Sequence, residues 1–167
     1  RLGASVDLES AAGIGRVEVV QRYFDEGRLK ASDAKAITAL MMAAWYNQKD
    51  VVAFLLDQGV SVGARAPEKG DGKTALHIAA YQGLVQLVEL LLQRGAPVNV
   101  IDNMYGTPPL VWALHAWLAE RRKNEQDYRE VVRILVNAGA DVKSHWLDDD
   151  RVRVDAELYA LLLRRQS

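Results

Sequence analysis

Apolar and polar positions alternate along this chain in one recurring arrangement. Its clearest copy runs from Gly72 to Val100. Leu76, Ile78, Ala79 and Ala80 recur at the spacing of one helical face, and Thr74 stands where it would cap the first N–H groups of a helix beginning at Ala75. Gly83 then permits a tight reversal. From about Leu84 to Arg94 a second helix is predicted, with Leu87, Val88, Leu90, Leu91 and Leu92 covering more than half of its circumference. A helix apolar on several sides must be sandwiched. Gly95 ends it by supplying a left-handed C-terminal cap. One such pair cannot bury its own apolar surface, so copies must stack on either side.

The copies are found by position. Leu8, Leu40, Leu76 and Leu110 occupy the same place, as do Ala11, Ala43, Ala79 and Ala113, at spacings of 32, 36 and 34 residues. The glycine that ends the second helix recurs as Gly27, Gly59, Gly95 and Gly139. In the first three units it lies 15 residues after the second alanine, from Ala12, Ala44 and Ala80. In the fourth, Leu114 to Gly139 spans 25, so ten residues have been inserted within about 115–127. The insertion is charged and lacks proline and glycine, which predicts a first helix lengthened by a turn or two that reverses near Asn124. The units are about 1–31, 32–65, 66–100 and 101–142, and 143–167 reads as a C-terminal cap with a helix over 154–165 ending in Arg164 and Arg165. Val6 stands where the first unit needs its capping threonine, while Thr38 restores it in the second. Met41 and Asn47 replace the histidine and glycine of the third unit, asparagine being the next best residue for a left-handed turn. Thr107 is followed by one extra proline, which shifts it from the capping place. The connection from Ala66 to Asp71 is about three residues longer than the period allows and predicts an extended finger.

The Thr74-Ala75-Leu76-His77-Ile78-Ala79 opening, with Gly83, Leu90-Leu91-Leu92, Gly95-Ala96 and Asn99 behind it, closely resembles one ankyrin repeat, departing only by Ala75 in place of proline. The resemblance implies an all-α solenoid of four helix-pair repeats joined by β-hairpin-like fingers, in one domain over 1–167 with a short C-terminal capping helix. It also implies that His77 makes structural hydrogen bonds between repeats, and that the chain binds another protein through its finger tips and the concave surface of its first helices. Carried over position by position, the residues after the second alanine should form that surface: Trp45 and Tyr46, Tyr81 and Gln82, His115 with Ala116, and Trp117 beyond. Trp45 and Trp117 have an alternative as core residues turned inward. Finger-tip candidates are Lys35, Ile37, Asp71, Lys73, Met104 and Tyr105.

At 167 residues, half of them hydrophobic, the chain can bury a substantial core. The net charge of −1 points to neither nucleic acid nor a polybasic membrane surface. Absence of cysteine removes disulfides, thiolate chemistry and Cys-ligated zinc without fixing a compartment. No apolar run reaches the length of a membrane span. Since Arg1 is not a start methionine, a processed or partial chain is expected; a cytoplasmic setting is the first expectation, periplasmic or secreted ones the alternatives.

No motif for chemistry is complete. Gly70-Asp71-Gly72-Lys73-Thr74 looks like the tail of a phosphate loop, but its first glycine is replaced by Pro67. Gly13-Ile14-Gly15 lacks the third glycine of a dinucleotide fingerprint and sits in a helix–helix turn. His77, His115 and His145 with Asp148, Asp149 and Asp150 lack ligand spacing, Ser144 beside His145 makes no triad, and the aspartates read as a solvated loop that starts the last helix. The expectation is therefore a monomeric, non-enzymatic interaction module with no cofactor or metal. The alternatives are a regulatory or targeting segment of a longer enzyme, and a small-molecule or metal site beside the insertion.

Overall fold

The computed structural model describes residues 6–67, 71–120 and 125–164. Among these residues the regular elements are helices only. Four antiparallel pairs follow one another: α1 (Leu8–Gly13) with α2 (Val17–Asp25), α3 (Ala34–Trp45) with α4 (Lys49–Asp57), α5 (Ala75–Tyr81) with α6 (Val85–Gln93), and α7 (Pro109–Glu120) with α8 (Glu125–Asn137). The first helices pack in sequence, α1 on α3, α3 on α5 and α5 on α7, while in the second layer α2 meets α4 and α6 meets α8. A 3-10 turn (Ser144–Asp148), α9 (Asp150–Arg153) and α10 (Ala156–Leu163) close the C-terminal end against α8.

The recurring alanines explain how the first helices approach one another. Ala11, Ala12, Ala43, Ala44, Ala79, Ala80 and Ala113 are fully buried, as is Leu114 in the eighth equivalent place. Leucines and valines of the second helices, among them Leu55, Leu87, Val88, Leu91, Val131 and Leu135, fill the space between layers. The reversal within each pair needs a left-handed residue, which is Gly15, then Asn47 at φ 56°, then Gly83. Asn47 thus replaces a glycine in conformation as well as in position.

The caps differ from the sequence expectation. Asp7, not Val6, precedes α1, and its carboxylate accepts from the Ser10 N–H at 2.7 Å. Thr38 does not cap α3; the helix begins a turn earlier after Asp33, and the Thr38 hydroxyl donates to the Ala34 carbonyl within it. For the same reason Lys35 and Ile37 lie in the first turn of α3 and not on a finger tip. Asp150 opens α9, whereas the last helix is capped by Asp155, which accepts from Leu158 N–H at 3.0 Å. Arg164 follows α10; Arg165 lies outside the described residues.

The insertion lengthens both helices of the fourth pair. α7 has 12 residues against 7 in α5, and α8 has 13 against 9 in α6. The reversal itself, including Asn124, lies outside the described residues. The added first turn of α8 brings Tyr128 back over the preceding repeat, where its hydroxyl donates to the Tyr81 carbonyl at 3.0 Å and its ring lies over Gly83. A side chain at Gly83 would meet that ring, so the glycine serves close packing as well as the turn.

Candidate functional site: the first-helix face and its fingers

Two fingers stand beside the first-helix face, and hydrogen bonds tie them into one platform. Ala66 N–H donates to Lys73 O at 2.9 Å across the longer finger, whose tip at 68–70 lies outside the described residues. Arg65 spans the two fingers, donating to Ile101 O at 2.9 Å, to Asn103 Oδ1 at 3.2 Å and to Gly72 O at 3.3 Å. Asn103 N–H returns a bond to Asp71 O at 2.7 Å. Gly72, at φ 62°, has no room for a Cβ because the Asn103 amide would lie within 2.8 Å of it.

The second finger is wound around Asp102. This carboxylate is 2% exposed and accepts from the N–H groups of Met104, Tyr105 and Thr107, from the Thr107 hydroxyl and from the Trp112 indole, all at 2.6–3.1 Å. Burial by itself would raise its pKa, but five donors outweigh that, and Asp102 ionises well below the usual carboxylate range. Thr107 is consequently not a helix cap, as its extra proline foreshadowed. The tip, Met104 and Tyr105, is left 61% and 69% exposed.

Trp112, one turn along α7, is the hub of the adjoining aromatic cluster. Its ring meets His77, Tyr81 and Tyr105 edge-on, with centroids 5.5, 5.8 and 6.3 Å away. His77 is fully buried and joins two repeats: Nδ1 accepts from Thr74 N–H at 3.1 Å, which leaves Nε2 as the donor to Thr107 O at 3.1 Å. Burial is the main influence holding its pKa below the ordinary histidine value, opposed by the Thr107 carbonyl and the Asp102 charge. The folded state therefore takes up its proton at lower pH than the unfolded chain. Stability contributed by His77 is complete above the unfolded pKa of about 6.5 and is lost as pH falls through the folded value. Urea unfolding at pH 7 and pH 5 should show that loss, and His77→Gln should lack this component.

The predicted row divides. Trp45 and Tyr46 at the end of α3 are exposed, at 43% and 55%, and His115 on α7 is exposed as well. Tyr81 is half-buried against Trp112, and the Gln82 amide donates to Trp45 O at 2.8 Å, bridging two repeats. Trp117 is only 7% exposed; the Arg129 guanidinium lies 5.6 Å from its ring centroid and is itself paired with Asp155 at 2.6 Å. Trp117 thus turns inward beneath α8, the second of its two expected placements. Lys73 is held at the groove edge by Asp71 at 2.6 Å. Among the described residues no group of three or more His, Cys, Asp or Glu is placed to hold a metal, and His145 lies against Trp146. No described helix is long and apolar enough to cross a membrane.

Between α3, α5 and the first of these fingers lies an open groove of about 310 Å³, lined by Thr38, Met41, Met42, Trp45, Tyr46, Pro67, Asp71, Lys73 and Ile78 among others. Stacked helix pairs that expose one such face, with fingers along its edge, define a helical-repeat solenoid. A family model described as Ankyrin repeat matches residues 37–66 and 71–103. The chain is an ankyrin-repeat protein. It is 33% identical over 118 residues to Protein PhlB of Serratia liquefaciens, which covers 71% of this chain and 51% of that one. It is 31% identical over 128 residues to palmitoyltransferase akr1 of Emericella nidulans, covering 57% of this chain and 17% of that one. It is 40% identical over 95 residues to the human Ankyrin repeat and KH domain-containing protein 1, covering 56% of this chain and 4% of that one. The chain therefore spans about half of PhlB and small parts of the other two.

Proposed function

We propose that the chain is a monomeric, non-catalytic module that grips a partner protein with the first-helix face and the tip of the 101–107 finger. Ankyrin repeats generally mediate protein–protein interaction, and the observation that carries the finer reading is the set of large apolar side chains left exposed on one platform. Trp45, Tyr46, Met104 and Tyr105 are 43–69% exposed, Trp45 and Tyr46 at the end of helix α3 and Met104 and Tyr105 on a finger whose backbone the Asp102 turn and the cross-finger bonds hold in place. Exposed aromatic groups are the usual material of binding hot spots, because little side-chain freedom is lost when they are covered, and a methionine beside them adapts its flexible thioether to the partner's outline. Tyr81 and Gln82 serve the face from below, as supports between repeats, and Lys73 lines its edge. His115 extends it toward the insertion.

The test combines truncation with capture. Alanine at Tyr46, Met104 and Tyr105 should leave the unfolding free energy within about 0.5 kcal/mol per site, as exposed positions do, while partner capture weakens at least about tenfold. A photo-crosslinker at Tyr46 in the native source identifies the partner. Undiminished capture by the triple variant would place the binding surface elsewhere. A second reading is favoured by the similarity to a small part of palmitoyltransferase akr1: the same surface serves as the targeting or regulatory part of a longer protein.

A further inference from the structure

We infer that the 101–107 finger is a preformed apolar knob, and that what receives it is a concave apolar pocket in a folded partner protein, not an extended peptide. This rests on the protein-binding reading above and specifies the class of partner that the finger takes.

The main chain of the finger is already occupied. Asp102 N–H donates to Thr107 O at 3.0 Å and Asn103 N–H to Asp71 O at 2.7 Å. Met104 and Tyr105 N–H both donate to Asp102 Oδ1, at 2.8 and 2.6 Å, and Thr107 N–H donates to Asp102 Oδ2 at 3.0 Å. The carbonyls at its two ends are engaged as well, Ile101 O by Arg65 and Thr107 O by the His77 ring. A peptide that adds as a strand needs free N–H and C=O groups at alternate residues along one edge. Four consecutive engaged donors, Asp102 to Tyr105, leave the finger no such edge.

What the finger offers instead is side chains. Ile101, 53% exposed, joins Met104 and Tyr105 as a third large apolar side chain in the open, while Asp102, the one group of the finger that is ionised at neutral pH, is buried within the turn. A single exposed apolar residue is ordinary; three on one seven-residue turn are a patch, and each gains on leaving water. Shape decides what can cover them. Asn103 to Gly106 are exposed at every position, and a side chain at Gly106, where φ is 62°, would meet nothing within 4 Å, so the tip protrudes. The Tyr105 ring is steadied edge-on by Trp112. A flat or convex surface meets such a tip at one side chain, whereas a recess encloses several together. The walls of a recess come from separate segments of a chain, which a partner holds together only when folded. Because the Asp102 turn is formed in advance, little ordering is left to oppose entry of these anchors into the pocket.

Photo-crosslinking from the full chain in an extract of its native source tests this. Diazirine analogues of leucine and methionine replace Ile101 and Met104, benzoylphenylalanine replaces Tyr105 or, for comparison, Tyr46, and each preparation carries one probe. The three finger probes should react with one partner, at residues from segments far apart in its sequence. Overlapping synthetic peptides spanning that sequence should not compete with the intact partner. Ile101→Ala should weaken binding of the identified partner at least about fivefold, at an unchanged thermal midpoint. Crosslinks confined to one short stretch, whose peptide competes, overturn the pocket and leave the protein-binding reading standing. Reaction from Tyr46 with none from the finger overturns the knob and likewise leaves that reading standing. Undiminished affinity in both Ile101→Ala and Met104→Ala overturns these side chains as anchors. Crosslinks between two copies of the chain, with a dimer in sedimentation, make the chain its own recipient and overturn the inference. No crosslink from any of the four positions overturns both readings.

Discussion

Leu91→Ala should lower the free energy of unfolding by about 2–5 kcal/mol, the range for leucines truncated in close-packed cores. Leu91 is fully buried in α6, within the third pair, which packs on α5 beside it and on α8 of the next pair. Its methyl groups are therefore enclosed by two repeats, and the surrounding helices cannot collapse into the space without breaking the alanine contacts that set their separation. In a stacked array the cost is not confined to one unit, because each pair borrows stability from its neighbours. Removing contacts at the third pair weakens its interface with the fourth, which also depends on the Asn99 side chain bonding Gly139 O and Asp141 N–H. The check is urea unfolding at equilibrium, with Val154→Ala as the control at an 85% exposed site. The control should move by less than about 0.5 kcal/mol. A loss below about 1 kcal/mol at Leu91 would contradict its place in the stack.

The repeat was legible because its landmarks are chemical necessities at fixed offsets. Alanine at seven of the eight equivalent positions lets the first helices approach closely, and glycine or asparagine takes the left-handed reversal at Gly15, Asn47 and Gly83. Helix starts were less legible. Left-handed Gly72 and extended Thr74 stop α5 from starting before Ala75, but Ala34, Lys35 and Ala36 are compatible with a helix and carry α3 back to Asp33. Trp117 depended on how the lengthened α8 folds back, because Arg129 covers it from a position twelve residues away. Trp112, the centre of the aromatic cluster, was missed by a search confined to the last turn of each first helix. It occupies the place of Met42 and Ile78, one turn earlier. Its one sequence signal was an aspartate ten residues upstream of an indole, a spacing that names no known motif and acquires meaning only when the finger closes.

That aspartate is the site of the second large effect. Asp102→Ala should cost about 3–5 kcal/mol, comparable to removing one member of a buried charged pair. The loss arises from what remains: N–H groups of Met104, Tyr105 and Thr107, the Thr107 hydroxyl and the Trp112 indole all lose the acceptor they share, a carboxylate only 2% exposed. Asp102→Asn should fall between, since an amide oxygen accepts but its NH₂ group faces donors. The pH dependence separates this account from simple loss of packing. Because the folded pKa lies below the unfolded one, the carboxylate's stabilisation is complete above about pH 4 and is lost as pH falls through the folded value. The gap between native and Asp102→Ala proteins should therefore be full at pH 7 and shrink as acid protonates Asp102. Released from its acceptor, the Trp112 indole N–H should also exchange with solvent faster, which a proton NMR spectrum reads directly. A gap that stays constant from pH 7 to strong acid, with the indole proton as protected as before, would mean that Asp102 fills space and does not organise the finger.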